Sequence, residues 1–265
     1  MNPPNLLTPD SAVKITLLGT GTSQGIPVIG CDCPTCTSPD PHDRRLRAAA
    51  LLEQDGFHLL IDPGPDFRQQ MLSAKVKHLD GILVTHEHND HVIGIDDIRP
   101  FNYRSGHPMS VYALPRVADD FRLRFRYVFA DPVPGLPSIE LIHIEQDSRF
   151  RVGPFDIVPI GIMHGWLPIL GFRTGDFAYL TDVKTIAPDQ LEKLRGVRRL
   201  VVNALQHLPH PTHMNLEESL QLIEYLQPEQ AWLTHIGHRM GPVAELASLL
   251  PANVSVAFDG QVIEV

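Results

Sequence analysis

The chain has 265 residues, 43% of them hydrophobic, enough to bury a core in one large domain or two small ones. A formal charge of -9, with no basic run longer than DRRLRA, argues against a surface built to neutralise a nucleic-acid backbone. No stretch of 18 consecutive apolar residues occurs, and the opening MNPPNLLTPD has neither a basic nor an apolar leader segment, so a cytoplasmic, non-membrane protein is expected.

Strand-length apolar runs begin with VKITLLG (13–19). An irregular stretch over 19–45 follows and carries all three cysteines in CDCPTC: Cys31, Cys33 and Cys36. Such clustering rules out a disulfide framework between distant partners and points to metal or redox chemistry. Further strands are expected at AALLEQ (49–54), HLLID (58–62) and GILVT (81–85), with a helix in DFRQQMLSAKV between the last two. The segment PRVADDFRLRFRYVFA and its Pro-rich exit are read as a lid over one edge. Strands then recur at FDIVPI (155–160), FAYLT (177–181), RLVVNAL (199–205), AWLTH (231–235) and VSVAF (254–258), and helices at NLEESLQLIEYLQ and PVAELASLL. The 24 prolines show no period, and no Gly/Ser-rich linker divides the chain. A single domain over 1–265, built of sheets with helices on their faces, is the expectation.

The strongest chemical signal follows GILV: Thr85, His86, Glu87, His88, Asn89, Asp90 and His91, an H-x-H-x-D-H array. On extended backbone His86 and His88 point to one side and can grip one ion. A turn into a helix would swing Asp90 and His91 to a neighbouring position about 3.5–4 Å away, the spacing of a two-metal site. His164 in GIMHGW, Asp182 in YLTDVK and His235 in AWLTHIGH also stand just beyond expected strands. Ligands at strand ends converge when their strands are neighbours. Five histidines and two aspartates suffice for two borderline divalent ions with positions left open for water and substrate.

With these motifs the chain resembles the metallo-β-lactamase superfamily. The resemblance implies an α/β fold, the αββα four-layer sandwich. It implies that His86, His88 and His164 hold one metal, that Asp90, His91 and His235 hold the other, and that Asp182 bridges them. Asp62 in IDPG (61–64) looks like the family's first motif, a residue that orients a ligand without being one. On residues alone, the fourth ligand needed to close a zinc site with the three thiolates is open among Asp32, His42, His58 and His238.

LLGTGTSQGIP, the cysteine loop, THEHNDHVIGIDDIRPF and LTHIGH are similar to a narrower group, the PhnP-like phosphodiesterases of carbon-phosphorus lyase pathways. That likeness implies that His238 completes a structural zinc site with Cys31, Cys33 and Cys36. It implies that His213, in HPTHMNL, is the general acid or electrostatic partner of the leaving oxygen, although His207 and His210 lie close in sequence. An imidazole pKa of about 6.5 suits that task. It also implies catalysis at the Asp90-containing metal centre by hydroxide that two divalent ions, Zn2+ or Mn2+, make available. The implied substrate is a small cyclic phosphodiester, 5-phospho-α-D-ribose 1,2-cyclic phosphate or a 2',3'-cyclic nucleotide. A homodimer is the corresponding expectation for assembly. Arg99 and Arg104 are candidates to meet a second phosphate, with an Arg99 ion pair to Asp96 or Asp97 as the alternative. Rival readings are a glyoxalase II-like thioesterase or lactonase and a tRNase Z-like nuclease.

Overall fold

The computed structural model describes residues 12–130 and 135–265. The opening MNPPNLLTPD and the first part of the Pro-rich exit, 131–134, lie outside the described residues. Among the described residues the first sheet takes β1 (Lys14–Gly19), β2 (Ala49–Gln54), β3 (Phe57–Ile61), β4 (Gly81–Leu83), β5 (Met109–Ala113) and β6 (Ile139–His143). The second takes β7 (Phe150–Val152), β8 (Phe155–His164), β9 (Leu167–Thr174), β10 (Phe177–Leu180), β11 (Arg199–Asn203), β12 (Gln230–Thr234) and β13 (Val254–Val256), and β14 (Gln261–Glu264) returns to the first. The strand orders are β14-β1-β2-β3-β4-β5-β6 and β13-β12-β11-β10-β9-β8-β7. In the first sheet β14 through β3 run antiparallel and β3 through β6 parallel. In the second, β10 through β13 are parallel and β7 through β10 antiparallel.

Seven helices cover the outer faces: α1 (Phe67–Ser73), α2 (Asn89–Val92), α3 (Arg99–Ser105), α4 (Pro115–Arg124), α5 (Pro188–Glu192), α6 (Leu216–Leu226) and α7 (Val243–Ala247), counted among the described residues. Strand alternation separates three core layers. Leu59 and Ile61 of β3 face Phe177 and Tyr179 of β10 between the sheets. Leu60 turns to the helical side with Phe67, Ile95 and Phe121, and Ala178 and Leu180 turn to Leu222, Ile223 and Leu226 of α6. Strands buried on both faces explain why their sequences are continuous apolar runs. This is the expected αββα four-layer sandwich.

Residues 115–130 do not form a lid. Val117 and Phe121 on α4, with Phe125 just beyond it, recur every four residues and are buried in the first sheet's outer layer. That spacing places them on one helical face, so the segment is core structure. No helix among the described residues is long and apolar enough to cross a membrane.

Candidate active site

The topology brings one end of β3, β4, β8, β10 and β12 to a common edge, where Asp62, the loop 84–91, His164, Asp182 and His235 follow or end the strands. Asp62, Asp182 and His235 have φ of 63°, 58° and 52°, the left-handed region that side chains with a Cβ rarely occupy. Three such residues, one or two steps past a strand, turn their side chains out of the pleat and into the same space. Strain concentrated in this way is held by the surrounding structure and is typical of functional sites.

Asp62 is buried and accepts three hydrogen bonds: from the Thr85 backbone N–H at 2.8 Å, the Thr85 hydroxyl at 2.7 Å and His91 Nδ1 at 2.7 Å. Burial pushes its carboxyl up, against the pull of His91 and Thr85. Thr85 Oγ1, 2.9 Å from His86 Nδ1, accepts the proton there, because its own hydrogen goes to Asp62. These bonds turn Nε2 of both His86 and His91 inward; against the effect of burial, Asp90, Asp182 and Asp62 raise the His91 pKa, so a cation at that Nε2 would take the place of a proton. His164 Nδ1 lies 3.0 Å from the Asp182 carbonyl and 2.9 Å from that of Thr212, so this nitrogen carries the hydrogen and Nε2 is the free one. Gly64 of the IDPG motif is required by packing: a Cβ there would stand 2.3 Å from the Asp90 carbonyl oxygen.

The inward atoms lie close together. His86 Nε2 is 3.0 Å from His88 Nδ1, and these two with His164 form one group whose donor atoms are mutually within 4.8 Å. Asp90, His91 and His235 form a second such group, and Asp182 joins His86 and His91 in a third. His91 Nε2 is 3.2 Å from Asp90 and 3.3 Å from Asp182, while His235 Nε2 is 3.3 Å from the other Asp182 oxygen. Asp182 therefore sits between the two sides. Burial opposes its ionisation, but His235, His91 and the His213 hydrogen bond hold it well below the usual carboxylate range. Burial also pulls His86 and His164 below an ordinary histidine.

The donor set fits divalent cations. His91 Nε2 and both ring nitrogens of His235 are buried with no hydrogen-bond partner among the described residues, a costly arrangement for polar atoms unless something else engages them. Imidazole and carboxylate donors with a central carboxylate are suited to borderline divalent ions.

The cysteine loop meets the segment after β12. His238 Nδ1 stands 3.2, 3.5 and 3.6 Å from the sulfurs of Cys31, Cys33 and Cys36. Of the four partners open on sequence, His238 is the one that joins the thiols in a group able to hold an ion. His58 is instead beside His78 and Asp80 elsewhere, and His42 bonds Asp40.

Among the three neighbouring histidines, His213 reaches the centre, with Nε2 2.9 Å from Asp182 Oδ1. His207 Nε2 bonds the Met240 carbonyl at 3.0 Å, a structural contact, and His210 lies beside Thr212 and His213. Burial lowers the His213 pKa, with Asp182 opposing. A cavity of about 260 Å³ opens here, lined by Thr22, Ser23, His210, His213 and Arg239 among others. Arg239 is exposed and makes no ion pair with any described residue. The arginines singled out in sequence are engaged elsewhere: Arg99 pairs with Asp96, and Arg104 lies 5.0 Å over the Phe101 ring. Sequence reasoning passed over Thr85 as an orienting residue, although it immediately precedes the histidine array. It also passed over Arg116 and Arg124, which brace that array through Glu87 and Asn89.

Comparison with known proteins agrees with this fold. The beta-lactamase superfamily domain matches residues 58–236. A crystal structure described as a new diphosphatase from the PhnP family superposes with a TM-score of 0.90 at 38% identity, covering 96% of this chain and 97% of that one. An octanoyltransferase of Porphyromonas gingivalis is 40% identical over 251 residues, 94% of this chain, but this chain spans only 51% of its length. The anti-Pycsar protein Apyc1 of Saccharibacillus brassicae is 31% identical over 194 residues, covering 67% of this chain and 78% of that protein.

Proposed function

The chain belongs to the beta-lactamase superfamily as a PhnP-like, metal-dependent hydrolase, and from that premise we propose that it hydrolyses a small phosphodiester at a binuclear centre. In this reading His86, His88 and His164 hold one divalent cation, Asp90, His91 and His235 the other, and Asp182 touches both. Two such ions, zinc or manganese, supply Lewis acidity for the phosphoryl oxygens and make hydroxide available near neutral pH. The thiolates of Cys31, Cys33 and Cys36 with His238 hold a structural zinc.

The observation that carries the substrate class is the position of His213. His213, with its Nε2 2.9 Å from Asp182, lines the same cavity as Arg239, which makes no ion pair with any described residue. A positive wall with a protonated imidazole beside it suits an anionic ester whose departing oxygen needs a proton. Asp182 holds the protonated His213 ring by accepting from Nε2–H at 2.9 Å; as the P–O bond breaks this Nε2 proton passes to the leaving oxygen, and the neutral ring keeps its Nδ1 hydrogen on the Thr212 hydroxyl at 2.9 Å. The lowered pKa makes that proton easier to release, at the cost of a smaller protonated fraction at neutral pH. At about 260 Å³ the cavity favours a small leaving group such as a sugar ring, consistent with a cyclic phosphodiester. A second reading, cleavage of a diphosphate, is supported by the description of the PhnP-family neighbour as a diphosphatase. It uses the same residues.

Purified protein is expected to hydrolyse bis(p-nitrophenyl) phosphate faster than the thioester S-lactoylglutathione; the reverse order would retire the phosphodiesterase reading. His213→Ala is expected to reduce kcat more for an alkyl phosphodiester than for the p-nitrophenyl ester, whose phenolate departs without a proton. Equal losses would remove His213 from proton transfer. A panel of cyclic phosphodiesters and diphosphates then separates the two phosphate readings.

A further inference from the structure

At the opposite end of the first sheet, away from the strand ends that carry Asp62 and Thr85, stands another histidine cluster. His58 is the second residue of β3, and His78 and Asp80 lie in the loop that leads into β4. His58 Nδ1 faces His78 Nε2 at 2.8 Å, and His78 Nε2 is 3.7 Å from Asp80 Oδ2. The Gly56 carbonyl oxygen is 2.7 Å from the same His78 nitrogen and can only accept, so without an ion that nitrogen carries the hydrogen; an ion bound there takes its place as the half-exposed ring shifts the hydrogen to Nδ1. We infer that His58, His78 and Asp80 form a third, surface-accessible site for a borderline divalent cation such as zinc.

The supporting arrangement is that of a metal ligand set. The far nitrogen of His58, Nε2, is 3.2 Å from Glu53 Oε1, its cross-strand partner on β2. That bond places the hydrogen on Nε2 and leaves the Nδ1 lone pair directed at His78, the usual way a carboxylate orients a ligating imidazole. The His58 backbone N–H donates to Asp80 Oδ2 at 2.7 Å and so fixes the carboxylate beside the two rings. A tetrahedral ion with metal–nitrogen distances of about 2.0–2.1 Å spaces its donors by about 3.3 Å, between the two separations observed. The same close approach of two ring nitrogens, 3.0 Å, occurs between His86 and His88 in the active site. Asp80 and Glu53 carry two negative charges, of which the Lys14 ion pair at 2.8 Å offsets one, so the cluster favours a cation. Two imidazoles and one carboxylate leave a position for water. With His78 half-exposed, the ion is exchangeable and not a closed structural one.

The alternative is a plain hydrogen bond from His78 to His58 and Gly56. Equilibrium dialysis of the metal-loaded protein against a zinc buffer separates the two. Wild-type protein is expected to retain one zinc equivalent more than His78→Ala, a substitution at a half-exposed loop position that the fold accommodates. Glu53→Gln, which removes the orienting carboxylate, is expected to keep the site but weaken its zinc affinity about 10- to 100-fold. Copper(II) added to wild type is expected to give an electron paramagnetic resonance signal split by two nitrogens, reduced to one in His78→Ala. Equal zinc content in wild type and His78→Ala, or an affinity untouched by Glu53→Gln, overturns the inference.

Discussion

Asp62→Asn tests how the buried shell controls the metal-facing atoms. The asparagine oxygen can keep the 2.8 Å bond from the Thr85 N–H. Its NH2 then replaces the oxygen that accepted from the Thr85 hydroxyl and from His91 Nδ1, both at 2.7 Å. His91 can no longer donate from Nδ1. To avoid opposing donors in a site that excludes water, the ring must move its hydrogen to Nε2 and so block the lone pair that faces Asp90 and Asp182. Rearranging a buried, charge-assisted bond costs about 1.5–3 kcal/mol. Loss of an orienting partner of this kind weakens metal affinity about 10- to 100-fold, or about 1.4–2.8 kcal/mol. The assay is chelator competition followed by metal analysis, with urea denaturation as the stability measure. Metal affinity within twofold of wild type would refute the reasoning, because it would mean that His91 does not depend on Asp62 for its tautomer.

Two further outcomes are expected. Asp259 accepts bonds from the Thr20 hydroxyl and the Leu46 N–H, yet burial pushes its pKa up from the ordinary 3.8 to about 6. The folded state therefore holds this proton more tightly than the unfolded chain. The resulting stabilisation is complete below pH 3.8 and is lost as the pH rises through about 6, amounting to about 3 kcal/mol. Denaturation of wild type and Asp259→Asn from pH 4 to 7 should show the variant gaining relative stability across that window, and a pH-independent difference would contradict the sign. Cys33→Ser should remove one zinc equivalent and lower Tm by on the order of 5–10 °C, as expected for a loss of about 2–3 kcal/mol in a chain of this size; unchanged zinc content and melting would remove the structural site.

Much of the fold was legible because its central strands are buried on both faces. AALLEQ, expected at 49–54, is β2, and FAYLT and RLVVNAL overlie β10 and β11. Among the strands that escaped, which include β5 and β14, three have local signals that argue against them. β9 begins LPILG, and its Gly171 is demanded by packing, since a Cβ there would lie 2.6 Å from Leu180. β6, IELIH, is only partly buried and carries polar residues at both faces, and β7 has three residues. The α4 segment was misread as a lid because its many arginines hid the every-fourth-residue apolar face of Val117 and Phe121.

The metal-site candidates were readable because four of them fall within six residues and the others end or closely follow a strand. What sequence could not supply was the choice among near neighbours. Only the fold distinguishes His213, on Asp182, from His207, on the Met240 carbonyl. Likewise it is the return of the segment after β12 to the cysteine loop that selects His238 over His42 and His58.

Anomalous diffraction from crystals of the active, metal-loaded protein tests the central claim most directly. The account predicts two peaks about 3.5–4 Å apart, enclosed by His86, His88, His164, Asp90, His91, His235 and Asp182. A single peak there, or none, in crystals of fully active protein would contradict it.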